Sequence, residues 1–161
     1  GVISLILSQS PRDFHKDSKI TAESMKQLEI DDHHVFPQGF LAKTRPDDVS
    51  ARLRDCVLNR TLIDKKTNIR ISDRAPSDYL KAIRNEFDKD HPGKLDSLLS
   101  VHALPSSEDK AFADDNFDAF LADRQARVWH LIQEVTHLNH PTALVDEEPI
   151  TTPGGEPWQV Q

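Results

Sequence analysis

Two adjacent histidines, His33 and His34, stand inside Asp32-His33-His34-Val35-Phe36-Pro37, and two asparagines, Asn59 and Asn68, follow nine residues apart. This set has the parts needed to hydrolyse a phosphodiester. That reaction needs a base to deprotonate water, a cation to stabilise charge on phosphate, and correct placement of both. A histidine accepts a proton near neutral pH. Neighbouring residues on a strand point to opposite faces, so two adjacent histidines seldom do the same job. A bend favoured by Pro37 and Gly39 would let one ligate a metal while the other addresses water. Asn68 would add an oxygen ligand without negative charge, leaving the metal strongly electrophilic. Asp31 or Asp32 would either join the shell around the metal or orient a histidine.

These residues need a scaffold that brings distant positions together. Leu28 and Ile30 alternate with Glu29 and Asp31, as in a short strand leading into the histidines. Thr61-Leu62-Ile63 reads as a second strand, and Asp64 as the N-cap of a helical turn through Asn68. Pro37 and Gly39 interrupt regular structure. Arg52, Leu53, Cys56 and Val57 are placed on one helix face before Asn59. A further helix is predicted from Pro76, with Tyr79, Leu80, Ile83 and Phe87 at helical spacing. Residues 89–94 form a break, and Leu95, Leu98 and Leu99 mark a short helix ending before Pro105. Residues 105–115 read as loop. The strongest helical pattern runs through Phe117, Phe120, Leu121, Val128, Leu131, Ile132, Val135 and Leu138. Residues 2–8 are apolar enough for a helix or strand, 8–19 read as loop, and the Pro- and Gly-rich stretch after Pro141 as an extended tail. Trp129 and Trp158 are expected to pack rather than stack on bases.

His33-His34-Val35-Phe36-Pro37 resembles the first half of the HNH nuclease signature, and Asn59 with Asn68 resembles its second half in identity and interval. The wider pattern is similar to the C-terminal HNH domain of GmrSD-type prokaryotic defence proteins. It comprises Pro11-Arg12-Asp13-Phe14, Ile30 to Pro37, Asn59-Arg60-Thr61-Leu62-Ile63, Lys66-Thr67-Asn68 and Ala75-Pro76-Ser77-Asp78-Tyr79-Leu80. Phe120-Leu121-Ala122-Asp123-Arg124 resembles that family's C-terminal helix more weakly. The resemblance implies an α+β, mostly helical fold: a ββα-metal core over 29–90, a lead-in over 1–28, a helical extension over 91–140 and a tail over 141–161. It implies that His33 and Asn68 bind one divalent metal, Mg²⁺ or Mn²⁺ with Ni²⁺ or Zn²⁺ as substitutes. It implies that His34 is the general base and that Asn59 braces its loop; Asp32, read from its place beside the histidines, is the candidate for the second layer. The implied reaction is DNA cleavage leaving 5′-phosphate and 3′-hydroxyl ends. The implied partner is an N-terminal ParB-like nucleotide-hydrolysing domain, of which this chain would be the C-terminal companion. No G-x-x-x-x-G-K-[ST] loop occurs in the sequence, so nucleotide hydrolysis is not expected of this segment.

Charge is uneven. Residues 43–94 carry 13 Lys and Arg against 9 Asp and Glu, whereas 95–161 carry 3 against 12, within a chain of net charge −7. A locally basic segment in an acidic chain suits a local polyanion site better than general coating of DNA. Arg60, Lys65, Lys66, Arg70 and Arg74 flank Asn68 and are the candidate phosphate contacts. Cys56 is the only cysteine, which excludes an intrachain disulfide and a zinc site built on several thiolates. A reducing, cytoplasmic setting follows as the expectation. Residues 2–7 are too few to span a bilayer, so no membrane partner is expected. A zinc peptidase is disfavoured because no H-E-x-x-H helix is present. Two alternatives to a DNA nuclease remain from the sequence: a catalytically silent DNA-binding or interdomain module, and a nuclease acting on RNA or single strands.

Overall fold

A computed structural model describes residues 1–27, 29–47 and 49–139, without the side chains of 137–139. Leu28, the expected first strand residue, His140 at the end of the expected helical extension, and the expected tail with Trp158 lie outside the described residues. The fold is α+β and mostly helical, with a single two-stranded antiparallel sheet among the described residues. The apolar stretch at the start forms helix α1, Val2–Ser8, and a short helix α2, Ala22–Lys26, begins at a capping box on Thr21.

The site-bearing part is a strand–strand–helix unit. Strand β1, Ile30–His34, pairs with β2, Arg60–Asp64, in a register that sets Ile30 opposite Asp64 and His34 opposite Arg60. An isolated two-stranded ribbon is marginal in water, so it must be covered. β2 is buried along Thr61, Leu62 and Ile63, which means it packs on both faces. Between the strands lie helix α3, Gln38–Thr44, and helix α4, Ala51–Arg54, followed by a 3₁₀ turn at Val57–Asn59. After β2 the chain turns directly into helix α5, Lys65–Ile71. Asp64 is its N-cap, accepting from the Lys66 amide at 2.8 Å, as the sequence suggests.

Two local expectations are overturned. Gly39 does not break structure. It sits in the first turn of α3, where the Asp73 side chain occupies the space a Cβ would need. The single helix face expected for Arg52, Leu53, Cys56 and Val57 does not form, because α4 ends at Arg54 and the chain restarts as the 3₁₀ turn. Leu53 and Val57 are accordingly exposed.

The other helices form the shell. Helix α6, Pro76–Phe87, starts at the proline as expected and buries Tyr79, Leu80 and Ile83. Helix α7, Lys94–Ser100, buries Leu95, Leu98 and Leu99. The polar stretch 105–115 is not all loop. Asp109 caps a short helix α8, Lys110–Ala113, which buries Ala111 and Phe112. Helix α9, Phe117–Asn139, buries Phe117, Phe120 and Val128. Trp129 does not pack; it is 59% exposed. One continuous apolar cluster runs from Phe14 through Val35, Phe36, Ile63, Tyr79 and Leu98 to Phe120. The segments 1–28, 29–90 and 91–140 therefore all contribute to the same core.

Candidate functional site

His33 and Asn68 lie 35 residues apart in sequence, yet His33 Nδ1 and Asn68 Oδ1 are separated by 2.8 Å. β1 supplies the histidine and α5 returns the asparagine to it. The Asn68 amide is oriented from its other side, since its Nδ2 donates to Asp31 Oδ2 at 2.9 Å. Asp31 and His33 alternate along β1, which puts both on the Asn68 side. Asp32 points the other way and pairs with Arg60. Of the two candidates Asp31 and Asp32, the carboxylate beside the His33–Asn68 pair is thus Asp31, and Asp32 does not take the second-layer place there.

His33 is 2% exposed, and burial depresses its pKa to about 4 despite the bond to Asn68. It is neutral at physiological pH, the state in which imidazole ligates metal. Phe14 and Tyr79 stand edge-on to its ring, at centroid distances of 6.3 and 6.2 Å. Its Nε2 is buried with no hydrogen-bond partner among the described residues. Two donors bound side by side to one ion at about 2.1 Å stand about 3 Å apart. The 2.8 Å spacing of Nδ1 and Oδ1 fits that arrangement with small adjustment. Among the described residues no three His, Cys, Asp or Glu side chains gather about one point. A metal here would therefore be held by His33 and the Asn68 amide, with Asp31 adjacent, and would retain open positions for water and substrate.

His34 ends β1 and belongs to a different cluster. Its Nε2 lies 3.0 Å from Asp55 Oδ1 and 3.0 Å from the Gln38 amide nitrogen, which is itself 3.1 Å from that carboxylate oxygen. Arg60 bridges Asp55 and Asp32. The His34 imidazole and the Arg60 guanidinium hold the Asp55 carboxyl below its ordinary pKa. An ionised Asp55 favours the His34 tautomer with the proton on Nε2, so that His34 Nε2–H and the Gln38 amide N–H both donate to Asp55 Oδ1 and the approach of the two nitrogens is not itself a hydrogen bond. Nδ1 then carries the lone pair, and it makes no hydrogen bond among the described residues.

Asn59 is fully buried and ties the turn after His34 in place. Its Oδ1 accepts from Phe36 N at 2.8 Å, and its Nδ2 donates to Phe36 O at 3.0 Å and to Arg54 O at 2.8 Å. Its main-chain oxygen accepts from Val35 N at 2.9 Å. Tyr79 Oη donates to Val35 O at 2.8 Å. The exit of β1 is held from both sides, by an amide and by a phenol.

The basic candidates separate into two groups. Arg60 is engaged by Asp32 and Asp55. Arg70 pairs with Glu86 and contacts His15, and Arg74 donates to the carbonyls of Ile71 and Arg70. Lys65 and Lys66 are exposed and make no ion pair among the described residues.

Three supporting residues are not apparent from the sequence as parts of the site. Asp13 is fully buried, and its carboxylate accepts from the amides of His15, Lys16 and Asp64 and from the Thr67 hydroxyl, at 2.7–3.0 Å. It fastens the N-terminal loop to the first turn of α5, next to Asn68. His102 is buried between Thr61 Oγ1 at 2.8 Å and Arg12 O at 2.7 Å. Arg124, fully buried on α9, donates to His102 O and reaches Arg60 O at 3.4 Å. Burial lowers its pKa to about 9, with Arg127 adding to the effect. Asp13 and Arg124 fall in the segments that carry the family resemblance, which is the available signal. His102 has none.

Among known proteins, the chain is similar to the uncharacterized protein MJ0686 of Methanocaldococcus jannaschii, with 30% identity over 152 aligned positions covering 84% of this chain. The match takes in 25% of that protein, so the chain spans about a quarter of its relative's length. No protein-family profile and no solved structure matches the chain. Among the described residues no helix is long and apolar enough to cross a membrane.

Proposed function

We propose that the chain is an HNH-type, ββα-metal endonuclease domain that hydrolyses DNA phosphodiester bonds. The observation that carries this reading is the convergence of His33 and Asn68 across a strand–strand–helix unit. The Asn59 brace around the turn after His34 supports it.

His33 and Asn68 would hold one divalent ion, Mg²⁺ or Mn²⁺, with Asp31 steadying the amide or joining the shell. Such an ion supplies Lewis-acid stabilisation of the phosphoryl oxygens and the departing 3′ oxygen. His34 takes a proton from water at Nδ1. Asp55 holds Nε2–H and stabilises the imidazolium that results, as a carboxylate behind a catalytic histidine does. The new bond joins the water oxygen to phosphorus, the P–O3′ bond breaks, and the 3′ oxygen leaves with the bonding pair and takes a proton from solvent water to become the hydroxyl, while His34 returns its proton to solvent. Lys65 and Lys66, exposed beside the site on α5, contact neighbouring phosphates. We place the domain in a phage-defence or restriction protein alongside a ParB-like nucleotide-hydrolysing domain. The length of the relative outside the matched part leaves room for a domain of that kind.

Plasmid nicking with Mg²⁺, Mn²⁺ or EDTA tests the reading, with wild type beside His34→Ala. Metal-dependent nicking that disappears in the variant is expected. Cleavage that persists in His34→Ala, or in EDTA, would overturn it.

A further inference from the structure

Beyond Asp55 and Gln38 the surface opens into a groove that the mechanism above does not use. It has a volume of about 680 Å³ and is lined by Gln38, Gly39 and Ala42 of α3 and by Ala51, Arg52, Arg54 and Asp55 at α4. A second depression, lined by Ser50, Arg52, Leu53, Asp55 and Cys56, adjoins it and shares Arg52 and Asp55. The two together form a trough along α4 that reaches the carboxylate holding His34.

The lining is chemically one-sided. Asp55, its one anion, is already paired with Arg60 and His34. Arg52 and Arg54 form no ion pair among the described residues. Its small lining residues are Ala42 and Ala51, with Gly39 lying against the Asp73 carboxylate. Two guanidiniums without an ion pair along one trough suit phosphate oxygens, which arginine binds with paired N–H groups. The trough is also fixed relative to the base. The Asn59 amide that holds Phe36, two residues after His34, donates to Arg54 O as well, so it ties the end of α4 to that turn.

We propose that this trough seats the sugar–phosphate backbone of the DNA strand flanking the cleaved bond, with Arg52 and Arg54 as its phosphate contacts. The proposal rests on the nuclease reading for the identity of the polyanion. It moves the main electrostatic contact away from Arg60, Arg70 and Arg74, all engaged within the protein, to the two arginines of α4 beside Asp55.

Binding of a short fluorescein-labelled DNA duplex, followed by anisotropy in EDTA over a salt series, tests it. In Arg52→Gln/Arg54→Gln the affinity should fall at least tenfold. The slope of log K against log salt should flatten by roughly 1.8, about 0.9 for each phosphate no longer neutralised. Arg52→Lys/Arg54→Lys should restore most of the slope. The variants change surface residues, and an unaltered thermal melt verifies their fold. An unchanged affinity and slope in the glutamine variant would overturn the proposal, as would wild-type protein without salt-dependent DNA binding. His34→Ala in the cleavage assay separates the two ideas. Normal cutting there with weakened binding in the arginine variant sinks the site assignment and leaves the trough standing.

Discussion

Replacing Asn59 by alanine removes three side-chain hydrogen bonds, to Phe36 N, Phe36 O and Arg54 O, all at 2.8–3.0 Å inside the protein. Each such bond contributes on the order of 1 kcal/mol net, and the Phe36 N–H left buried without a partner adds about 1–3 kcal/mol. The expected loss is roughly 4–6 kcal/mol, less whatever a water entering the vacated space restores. For a chain of this size that lowers Tm by roughly 10 °C. Asn59→Asp is the informative companion. It keeps the acceptor for Phe36 N but sets a carboxylate oxygen against two carbonyls, so it should be no more stable than the alanine variant. Urea unfolding followed by circular dichroism measures both, with the midpoint shift converted at a common m-value. A loss below about 1 kcal/mol in Asn59→Ala, or an aspartate variant close to wild type, would show that the amide does not fix the turn after His34.

Asn68→Ala should weaken Mn²⁺ binding by at least tenfold in calorimetry while the fold persists, because it removes an oxygen 2.8 Å from His33 Nδ1; equal affinity would remove Asn68 from the ligand set. Neutralising Lys65 and Lys66 to glutamine should weaken DNA binding and reduce its salt slope, and an identical slope would place the duplex away from α5. Stability should also fall with acid. Burial holds His33 and His102 at about 4 in the folded chain, below the ordinary 6.5. Between those values the unfolded chain binds protons that the folded chain refuses, so stability is full above pH 6.5 and declines as pH falls toward 4. Each histidine accounts for roughly 3 kcal/mol over that window. Urea midpoints across the window should decline less steeply in His102→Asn, and the same decline in the variant would refute the assignment.

The parts of this molecule that local chemistry dictates can be read from the sequence. Asp64 announces its helix by capping it, Pro76 starts another, and the Phe117–Val128 pattern marks a buried stripe. The types of His33 and Asn68, with the nine-residue interval from Asn59 to Asn68, point through the resemblance to a meeting of His33 and Asn68. What cannot be read depends on contacts between distant segments. Gly39 looks like a breaker because nothing local reveals that Asp73 folds over it. Asp32 and Asp31 are equivalent as letters, and only the pleat of β1 decides that Asp31 faces Asn68 while Asp32 meets Arg60. The arginines look like phosphate contacts because charge is visible in sequence and ion pairs such as Arg70–Glu86 are not. Lys110–Ala113 gives no helical signal because four residues show no period.

The Asp13 carboxylate has a consequence for how this chain is made. Its acceptor contacts to the Asp64 amide and the Thr67 hydroxyl close loops of 51 and 54 residues. Closing loops of that length is entropically slow and must precede the reward of the contact. During synthesis the loop around Asp13 leaves the ribosome long before the helix that carries Asn68, and its buried acceptor has nothing to hold until that helix appears. The donor pair at His33 and Asn68 is therefore assembled late, once both ends of the unit exist. A nascent or truncated chain that stops short of Thr67 carries both histidines but not the helix that meets His33, so the donor pair cannot form until that helix has been made.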